Sequence, residues 1–190
     1  MPNAFNTHVT NPATQYPQAW ERASKVKLLV LDVDGVLSSG QVFIGADGKE
    51  SLKAFDIQDG LGIKLLEQCG IPTAVITGRH SKMVLARCQE LGIKHVHMGV
   101  ENKALAFDEV LKSLGLNGKD CAAMGDDWPD LAMMKNAGFR VCPSQAHEAV
   151  KEFSHFVTTR SGGNSAVREV CDLILKAQNR YEELLNKARQ

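Results

Sequence analysis

Short apolar runs alternate with helix-like segments along this 190-residue chain, and this alternation limits the possible folds more than any other feature. Strand-like runs occupy residues 25–33, 71–78, 93–99 and 119–125, and segments with helical spacing of apolar residues separate them. Strands that alternate with helices of about ten to fifteen residues form parallel sheets covered by helices. The sequence therefore predicts an α/β protein with a three-layer, Rossmann-like parallel sheet and helices on both faces.

Four other segments complete the predicted organisation, in which the whole chain forms a single domain. Residues 42–55 contain two alternating runs around an Ala-Asp-Gly turn, which predicts a β-hairpin inserted after the first strand. Residues 165–188 have the apolar spacing of one long final helix. The first 17 residues are rich in Asn, Pro and Thr and predict a loose N-terminal arm, and residues 179–190 form the C-terminal tail.

The composition excludes several classes of partner and compartment. The 22 Lys and Arg residues balance 22 Asp and Glu residues, so nothing indicates binding to nucleic acid or to an acidic membrane surface. The five cysteines are scattered and form no CxxC pair, which is typical of reduced thiols in a cytosolic protein. The chain has no apolar run long enough for a membrane span and no apolar signal-peptide core, so we expect a cytoplasmic location.

Polar residues follow the predicted strands at the edge where parallel sheets bind ligands. Asp32 and Asp34 follow the first strand, Thr77 ends the second, and Asp126 follows the strand at residues 119–125. Lys103 begins the helix after the strand at residues 93–99. Because the carboxyl ends of parallel strands share one edge, we expect these five side chains to meet there.

These residue types fit phosphoryl transfer. Asp32 and Asp34 are two apart and face the same side of a strand. Together with Asp126 or its neighbour Asp127 they offer the oxygen ligands that Mg²⁺ prefers. An ionised Asp32 is able to attack a phosphoryl group if Mg²⁺ and Lys103 offset the charge repulsion, and Asp34 is able to transfer the proton of the leaving alcohol. The sequence predicts hydrolysis of a phosphate monoester through an aspartyl phosphate, with Thr77 binding phosphoryl oxygens.

The motifs DVDGV, ITGR, NK and GDDWPD, in this order, resemble the four motifs of the haloacid dehalogenase superfamily. The longer segments LLVLDVDGVLSSG, LKAFDIQDGLGIK and GGNSAVREVCDLIL resemble its family of 3-deoxy-D-manno-octulosonate 8-phosphate phosphatases, with the similarity running over about residues 26–178. This resemblance implies a Mg²⁺-dependent enzyme that releases phosphate from this sugar acid in lipopolysaccharide biosynthesis. A phosphatase for another sugar-acid phosphate, such as a nonulosonate 9-phosphate, is the alternative.

The resemblance also implies roles for individual residues. Asp32 is implied as the nucleophile and Asp34 as the acid and base, with Asp32, the backbone carbonyl of Asp34, and Asp126 as the metal ligands. Thr77 and Lys103 are implied to hold the phosphoryl group. The pocket for the sugar acid is implied to include Asp56, Ile57, Gln58, Asp59, Gly60, Lys64, Arg79, Arg87 and Lys103.

The chain departs from this family at three positions. Gln58, Lys64 and Asn164 stand where relatives often have Arg. Lys in place of Arg loses the planar fork that binds a carboxylate through two parallel hydrogen bonds. The substrate therefore stays open between the two sugar-acid phosphates.

Motif spacing leaves no room for a cap domain. The 43 positions from Asp34 to Thr77 are nearly filled by the hairpin, one helix and the second strand, and the 49 positions from Thr77 to Asp126 hold two helices and a strand. An open site admits water and discriminates poorly between substrates. The resemblance implies a homotetramer whose hairpins pack together, so that a neighbouring subunit covers each active site.

Two nearby motifs keep simpler interpretations. Asp127 and Asp130 are interpreted as capping or supporting residues for the helix that follows. Residues 161–165, with the sequence SGGNS, are interpreted as a glycine turn that begins a helix, and an anion-binding helix start is the functional alternative.

Overall fold

The computed structural model describes residues 12–190, and the part of the predicted arm at residues 1–11 lies outside the described residues. Among the described residues, six parallel strands form one sheet in the order β5-β4-β1-β6-β7-β8, and β2 pairs with β3 as an antiparallel hairpin. The strands are β1 (Leu28–Leu31), β2 (Phe43–Ile44), β3 (Glu50–Leu52), β4 (Thr73–Thr77), β5 (His95–Met98), β6 (Cys121–Met124), β7 (Phe139–Cys142) and β8 (Phe156–Val157). The predicted parallel α/β sheet and its hairpin insertion are confirmed.

Helices cover both faces of the sheet, as the alternating side chains of β1 show. Leu29 and Leu31 belong to the core on the side of α2, α3, α4 and α8, whereas Leu28 and Val30 belong to the core on the side of α5, α6 and α7. The helices are α1 (Pro12–Gln15), α2 (Pro17–Ala23), α3 (Ile57–Gln68), α4 (Lys82–Leu91), α5 (Lys103–Leu114), α6 (Leu131–Asn136), α7 (Glu148–Phe153), α8 (Ala166–Ala177) and α9 (Tyr181–Ala188). These three layers agree with the predicted fold class.

Capping residues set the ends of the helices near the sheet edge. The side chains of Asp56, Ser81 and Asn102 accept backbone N–H groups at the starts of α3, α4 and α5. Gly92 and Gly115 end α4 and α5 in the left-handed conformation, which glycine adopts without steric cost. Local sequence therefore fixes where each of these helices begins relative to the site.

The prediction of a single final helix over residues 165–188 is wrong, because two helices occupy this segment. Asn179 adopts a left-handed backbone with φ of 58° between α8 and α9. The Gln178 side chain donates to the carbonyls of Ala23 and Val26, at 3.3 and 2.7 Å, and ties the end of α8 to the start of the chain. Asn tolerates the left-handed conformation without interrupting an apolar pattern, so spacing alone did not reveal the break.

The described part of the predicted arm contains helical structure. Pro12–Gln15 forms a helical turn and Pro17–Ala23 forms a helix that begins with Pro at its first position. Ala19 and Ala23 are buried in the core on the side of α8. No helix within residues 12–190 combines the length and the apolar character needed to cross a bilayer.

Few structural elements are inserted at the carboxyl edge of the sheet. Between Asp34 and Thr77, a span that the structure describes throughout, the hairpin and α3 are the only elements before β4, as expected for a protein without a cap domain. The hairpin exposes Phe43, Ile44 and Leu52, which are 45, 61 and 66% accessible. This apolar surface lies next to the edge where the predicted site residues gather.

Candidate active site

Three neighbouring strands bring the predicted catalytic residues to one edge of the sheet. β1 lies between β4 and β6, so the residues that end these strands are neighbours. The backbone N–H of Asp32 donates to the carbonyl of Met124 at 3.0 Å, which continues the pairing of β1 with β6. Thr77 is buried at the end of β4, and Asp126 follows β6 after one glycine.

Lys103 connects two of the acidic residues at this edge. Its Nζ donates to Oδ1 of Asp32 at 2.5 Å and to Oδ1 of Asp130 at 2.6 Å, and all three side chains are buried. Burial alone would lower the pKa of Lys103, but the attraction of the two carboxylates raises it above its usual value. Lys103 is therefore a buried ammonium whose position at the first residue of α5 is set by the Asn102 cap.

Three carboxylates converge next to this ammonium. Asp32, Asp126 and Asp130 each offer an oxygen, and these oxygens lie within 4.8 Å of one another. Burial, followed by repulsion from Asp130, raises the pKa of Asp32 to about 7 despite the opposing effect of Lys103. Burial, together with the charges of Asp32 and Asp130, also raises the pKa of Asp126 to about 7. One lysine cannot neutralise three ionised carboxylates, so a further cation would stabilise them. A donor set made only of oxygens fits a hard divalent cation.

Two glycines allow the acids to come this close. A Cβ on Gly35, whose φ is +93°, would lie 2.0 Å from Oδ2 of Asp126. A Cβ on Gly125 would lie 2.2 Å from the Cβ of Asp130. Real side chains do not approach to these distances, so a residue with a side chain at either position would push the acids apart.

Asp130 has a larger part in this arrangement than the sequence indicated. Its Oδ2 accepts the backbone N–H groups of Asp126 and Asp127, at 2.9 and 3.2 Å, while its Oδ1 accepts Lys103. The predicted capping role is confirmed, because Asp127 and Asp130 form a capping box. The same carboxylate also lies within the acidic group, which a local capping pattern does not reveal.

Asp34 has different neighbours from Asp32. Its Oδ1 accepts hydrogen bonds from Lys53 and, at 3.4 Å, from Ser38, and the Nε of Arg79 lies 3.7 Å from its Oδ2. Glu50 joins the same network through Lys53 at 2.9 Å and Arg79 at 3.4 Å. The carboxylate of Asp34 lies outside the group formed by the other three acids, so only its backbone carbonyl remains for the metal contact implied by the resemblance.

Sequence reasoning missed Glu50, Lys53 and Gln145. The Lys53 side chain is only 1% accessible and pairs with Asp34, although a lysine in a hairpin is normally a solvated surface residue. Gln145 lies on the loop after β7, and its Nε2 donates to the carbonyl of Gly35 at 2.7 Å. In the sequence, these residues stand out only by lying between the motifs, and that position does not identify the residues they contact.

Four of the residues implied for the sugar-acid pocket make contacts that organise the start of α3. Asp56 accepts the backbone N–H of Asp59 at 2.9 Å, and Arg87 donates to the carbonyl of Asp56 at 3.0 Å. Gly60 provides the space for this arginine, because a Cβ there would lie 2.3 Å from Nη2 of Arg87. Asp59 is buried and accepts the backbone N–H of Arg168 at 2.7 Å, and burial raises its pKa to about 6. A direct substrate contact by Asp59 is not supported by this burial.

The remaining implied pocket residues are accessible, except for the buried Lys103. Ile57 is 84% exposed at the first position of α3, and Gln58 and Lys64 are exposed on the same helix. Arg79 is half exposed, and its Nε lies 3.7 Å from Oδ2 of Asp34. Lys103 is also brought to the site, in contact with Asp32.

Comparisons with known proteins agree with this geometry. The sequence profile of the haloacid dehalogenase-like hydrolases matches residues 96–170. The chain is 42% identical over 167 residues to the 3-deoxy-D-manno-octulosonate 8-phosphate phosphatase of Salmonella typhimurium, a match that covers 88% of each protein. It is 43% identical over 162 residues to the same phosphatase of Escherichia coli K12, covering 85% of this chain and 86% of the relative.

Solved structures give the same result. A 3-deoxy-D-manno-octulosonate 8-phosphate phosphatase from Moraxella catarrhalis, in complex with magnesium, phosphate and KDO, is 45% identical with a TM-score of 0.86, covering 90% of this chain and 97% of that one. The phosphatase from Yersinia pestis is 42% identical with a TM-score of 0.85, covering 87% and 89%. By this similarity the chain belongs to the 3-deoxy-D-manno-octulosonate 8-phosphate phosphatase family of the haloacid dehalogenase-like hydrolases.

Proposed function

We propose that this phosphatase hydrolyses 3-deoxy-D-manno-octulosonate 8-phosphate to 3-deoxy-D-manno-octulosonate and phosphate, with Mg²⁺ as its cofactor. The observation that carries the chemistry is the contact of Lys103 with Asp32 and Asp130 beside Asp126 at the carboxyl edge of the sheet. The substrate is supported by the relatives with this activity, which match 85 to 88% of the chain.

In the proposed reaction, Asp32 is the nucleophile and Asp34 transfers the proton. A carboxylate oxygen of Asp32 attacks phosphorus, the bond from phosphorus to the sugar oxygen breaks, and Asp34 donates a proton to that oxygen. Asp34 then removes a proton from water, which attacks the phosphoryl group and releases Asp32. Lys103 and Thr77 hold phosphoryl oxygens, and the ammonium reduces the repulsion between Asp32 and the incoming anion.

The acidic cluster fits the proposed cofactor. Asp32, Asp126 and the backbone carbonyl of Asp34 are the proposed Mg²⁺ ligands, and Asp130 orients Asp126 through its backbone N–H. Mg²⁺ at this position offsets the negative charge of the acids and of the phosphoryl group. Without a cation, the close carboxylates favour protonation, as the raised pKa values of Asp32 and Asp126 indicate.

The sugar acid is proposed to bind above α3 and β4. Arg79 is accessible beside Asp34 and offers a cation for the substrate carboxylate, while Ile57, Gln58 and Lys64 expose their side chains on α3. We assign Asp56, Asp59, Gly60 and Arg87 to the support of this surface. A nonulosonate 9-phosphate remains the alternative substrate, because Gln58, Lys64 and Asn164 depart from the arginines often found in the family.

We further propose a homotetramer in the cytoplasm that acts as one catalytic domain per chain in lipopolysaccharide biosynthesis. The exposed Phe43, Ile44 and Leu52 of the hairpin offer an apolar surface for a second copy. A neighbouring subunit seated there would cover the open carboxyl edge and restrict water at the site.

Phosphate release with Mg²⁺ from a panel of sugar phosphates tests the substrate. We expect kcat/KM for the octulosonate 8-phosphate to exceed that for a nonulosonate 9-phosphate by about a hundredfold, which corresponds to about 2.7 kcal/mol. A flat or reversed profile would overturn the substrate and leave the chemistry intact. Absence of turnover with every phosphate monoester in the panel would overturn both.

A further inference from the structure

The Gln145 side chain connects two loops at the edge of the active site. Its Nε2 donates to the carbonyl of Gly35 at 2.7 Å, and its Oε1 accepts the backbone N–H of Gly162 at 2.8 Å. A carbonyl accepts and an N–H donates, so these two partners fix which end of the amide carries the nitrogen. Gln145 thus joins the loop after β7 to the loop that carries Asp32 and Asp34 and to the turn before α8.

Gly35 is tightly packed on several sides. Its Cα faces the Asp126 carboxylate, where a Cβ would lie 2.0 Å from Oδ2. A Cβ on Gly162 would lie 1.8 Å from the Gly35 carbonyl oxygen, and Gly163 N–H donates to the carbonyl of Val36 at 3.0 Å. Gln145 therefore binds the carbonyl of Gly35, which follows Asp34 in the chain and packs against the Asp126 carboxylate.

The same loop also binds the backbone of Asp126. The N–H of His147 donates to the carbonyl of Asp126 at 2.8 Å, two residues after Gln145. The segment from Gln145 to His147 is thus hydrogen-bonded to both acidic loops of the site, at Gly35 and at Asp126. The Gln145 side chain makes the first of these contacts, whereas the backbone of His147 makes the second.

We propose that Gln145 is a positioning residue for the catalytic loop, and this inference rests on the proposed function of Asp32 and Asp34. By binding the Gly35 carbonyl, Gln145 fixes the orientation of the peptide group that follows Asp34. It also fixes the distance between the loop that carries Asp32 and Asp34 and the Asp126 carboxylate. Displacement of reacting groups by about 1 Å is enough to cost a large factor in rate. Gln145 itself touches no reacting group, so its effect is on kcat through the geometry of the loop.

Gln178 provides a matched control at the opposite edge of the sheet. Its amide also binds the backbone, at the carbonyls of Ala23 and Val26, before β1 begins. Gln178→Ala and Gln145→Ala each remove two hydrogen bonds between a glutamine amide and the backbone, both donated by Gln178 and one donated and one accepted by Gln145. A merely structural role for Gln145 predicts similar effects of the two substitutions on activity and stability.

The experiment compares Gln145→Ala, Gln145→Glu and Gln178→Ala in the full chain with Mg²⁺. We expect Gln145→Ala to lower kcat about tenfold for both the octulosonate 8-phosphate and p-nitrophenyl phosphate, with KM changed less than about twofold. Gln145→Glu keeps an acceptor for Gly162 but places a carboxylate against the Gly35 carbonyl, so we expect the same loss of kcat. Gln178→Ala is expected to lower Tm and leave kcat unchanged.

Amide hydrogen exchange gives a readout that does not depend on turnover. We expect faster exchange in peptides spanning residues 33–39 and 161–164 for the Gln145 variants, and unchanged exchange there for Gln178→Ala. Wild-type kcat in Gln145→Ala, unchanged exchange in these peptides, or an equal loss of kcat in Gln178→Ala would overturn the positioning role. A wild-type protein that hydrolyses neither substrate would instead overturn the proposed function, while exchange would still test the contact of Gln145 with Gly35.

Discussion

Lys103 and Asp32 are 71 residues apart in the chain, yet Nζ of Lys103 lies 2.5 Å from Oδ1 of Asp32 in a buried contact. Parallel strand order explains this meeting, since β1 and β4 are adjacent and the helix that begins with Lys103 follows β5 on the same side of the sheet. The ammonium offsets the negative charge of Asp32, and in the proposed reaction it would also offset that of a phosphoryl group. It thus links the fold to the proposed chemistry.

The first prediction concerns the nucleophile. Asp32→Asn is expected to lower kcat at least about a thousandfold, because a carboxamide cannot form the acyl phosphate with a phosphoryl group. Phosphate release measures the loss, and circular dichroism checks the fold. Asp120→Asn, which removes only an accessible ion pair with Lys27 at the other edge of the sheet, should retain wild-type kcat. Wild-type turnover in Asp32→Asn would disprove the assignment.

The second prediction concerns the buried ammonium. Lys103→Met is expected to lower the free energy of unfolding by about 3 kcal/mol, because it leaves Asp32 and Asp130 without their buried cation. Urea denaturation without Mg²⁺ measures the loss, and Lys27→Met, which breaks an accessible pair, should cost less than about 1 kcal/mol. The loss should grow with rising pH, because burial already raises the pKa of Asp32 to about 7 and removal of the lysine makes its ionisation less favourable still. Equal stability of Lys103→Met and wild type at pH 8 would contradict the prediction.

The sequence was sufficient to locate most of the proposed catalytic centre. The apolar run of β1 required a buried strand, and the alternation of strands and helices placed the residues after Leu31, Thr77 and Met124 at one edge. Those two facts bring Asp32 and Asp126 together without knowledge of any side-chain contact. Lys103 followed from its position at a helix start.

Contacts that depend on the placement of distant loops were not predictable in this way. The pairing of Lys53 with Asp34 requires the chain after the hairpin to lie against the loop that follows β1. No periodic pattern in the sequence predicts that arrangement. Asp59 lies in the first turn of α3, and only the packing of α3 against α8 reveals that it caps α8 through the N–H of Arg168. Similarly, the left-handed Asn179 breaks the final helix without a glycine or proline to mark the position.

The third prediction concerns Mg²⁺ and pH. The pKa values of Asp32 and Asp126 are raised from 3.8 to about 7 without metal, so the metal-free fold loses stability as pH rises from about 4 through 7. Mg²⁺ binds the ionised acids, so its stabilising effect should increase over the same range. Thermal unfolding with Mg²⁺ and with EDTA at pH 5.5 and 8 should show a larger Mg²⁺-dependent rise in Tm at pH 8. EDTA should also abolish turnover, and full activity in EDTA would exclude the metal.

The fourth prediction concerns His155, which directly precedes β8 and is not one of the proposed catalytic residues. Burial and repulsion from Arg140 and Arg22 lower the pKa of His155 from 6.5 to about 4, and its Nδ1 accepts the backbone N–H of Arg140 at 3.0 Å. The unfolded chain binds the proton more readily, so stability should fall as pH decreases from about 6.5 to 4. Since the side chain is partly solvated, we expect a contribution of about 1 kcal/mol.

Denaturant unfolding of His155→Gln at pH 7.5 and 5 tests this effect. Glutamine offers an oxygen to the Arg140 N–H but does not titrate, so the decrease in unfolding free energy between the two pH values should be smaller than in wild type. His95→Gln, a substitution on the edge strand β5, is the control and should keep the wild-type decrease. An unchanged pH dependence in His155→Gln would show that other groups cause the acid destabilisation.

The last prediction distinguishes two proposed roles of the hairpin, one in subunit assembly and one in catalysis. Leu52 ends β3 and is 66% accessible, whereas the side chain of the next residue, Lys53, is 1% accessible and pairs with Asp34. Leu52→Glu should disrupt the proposed association of hairpins between subunits without removing the Lys53 contact. Lys53→Met should leave the assembly intact and lower kcat about tenfold or more, because the Asp34 carboxylate loses the nearer of its two cations and keeps only the longer contact with Arg79.

Sedimentation velocity and phosphate release on the same samples distinguish the two effects. We expect Leu52→Glu to sediment as a smaller species with reduced kcat/KM, since the open edge is then uncovered, and Lys53→Met to sediment as wild type. Val157→Glu, which adds the same charge on the accessible edge strand β8, controls for the introduction of a carboxylate. A fully active monomer would refute coverage of the site by a neighbouring subunit, whereas normal kcat in Lys53→Met would show that Asp34 is held in place without this lysine.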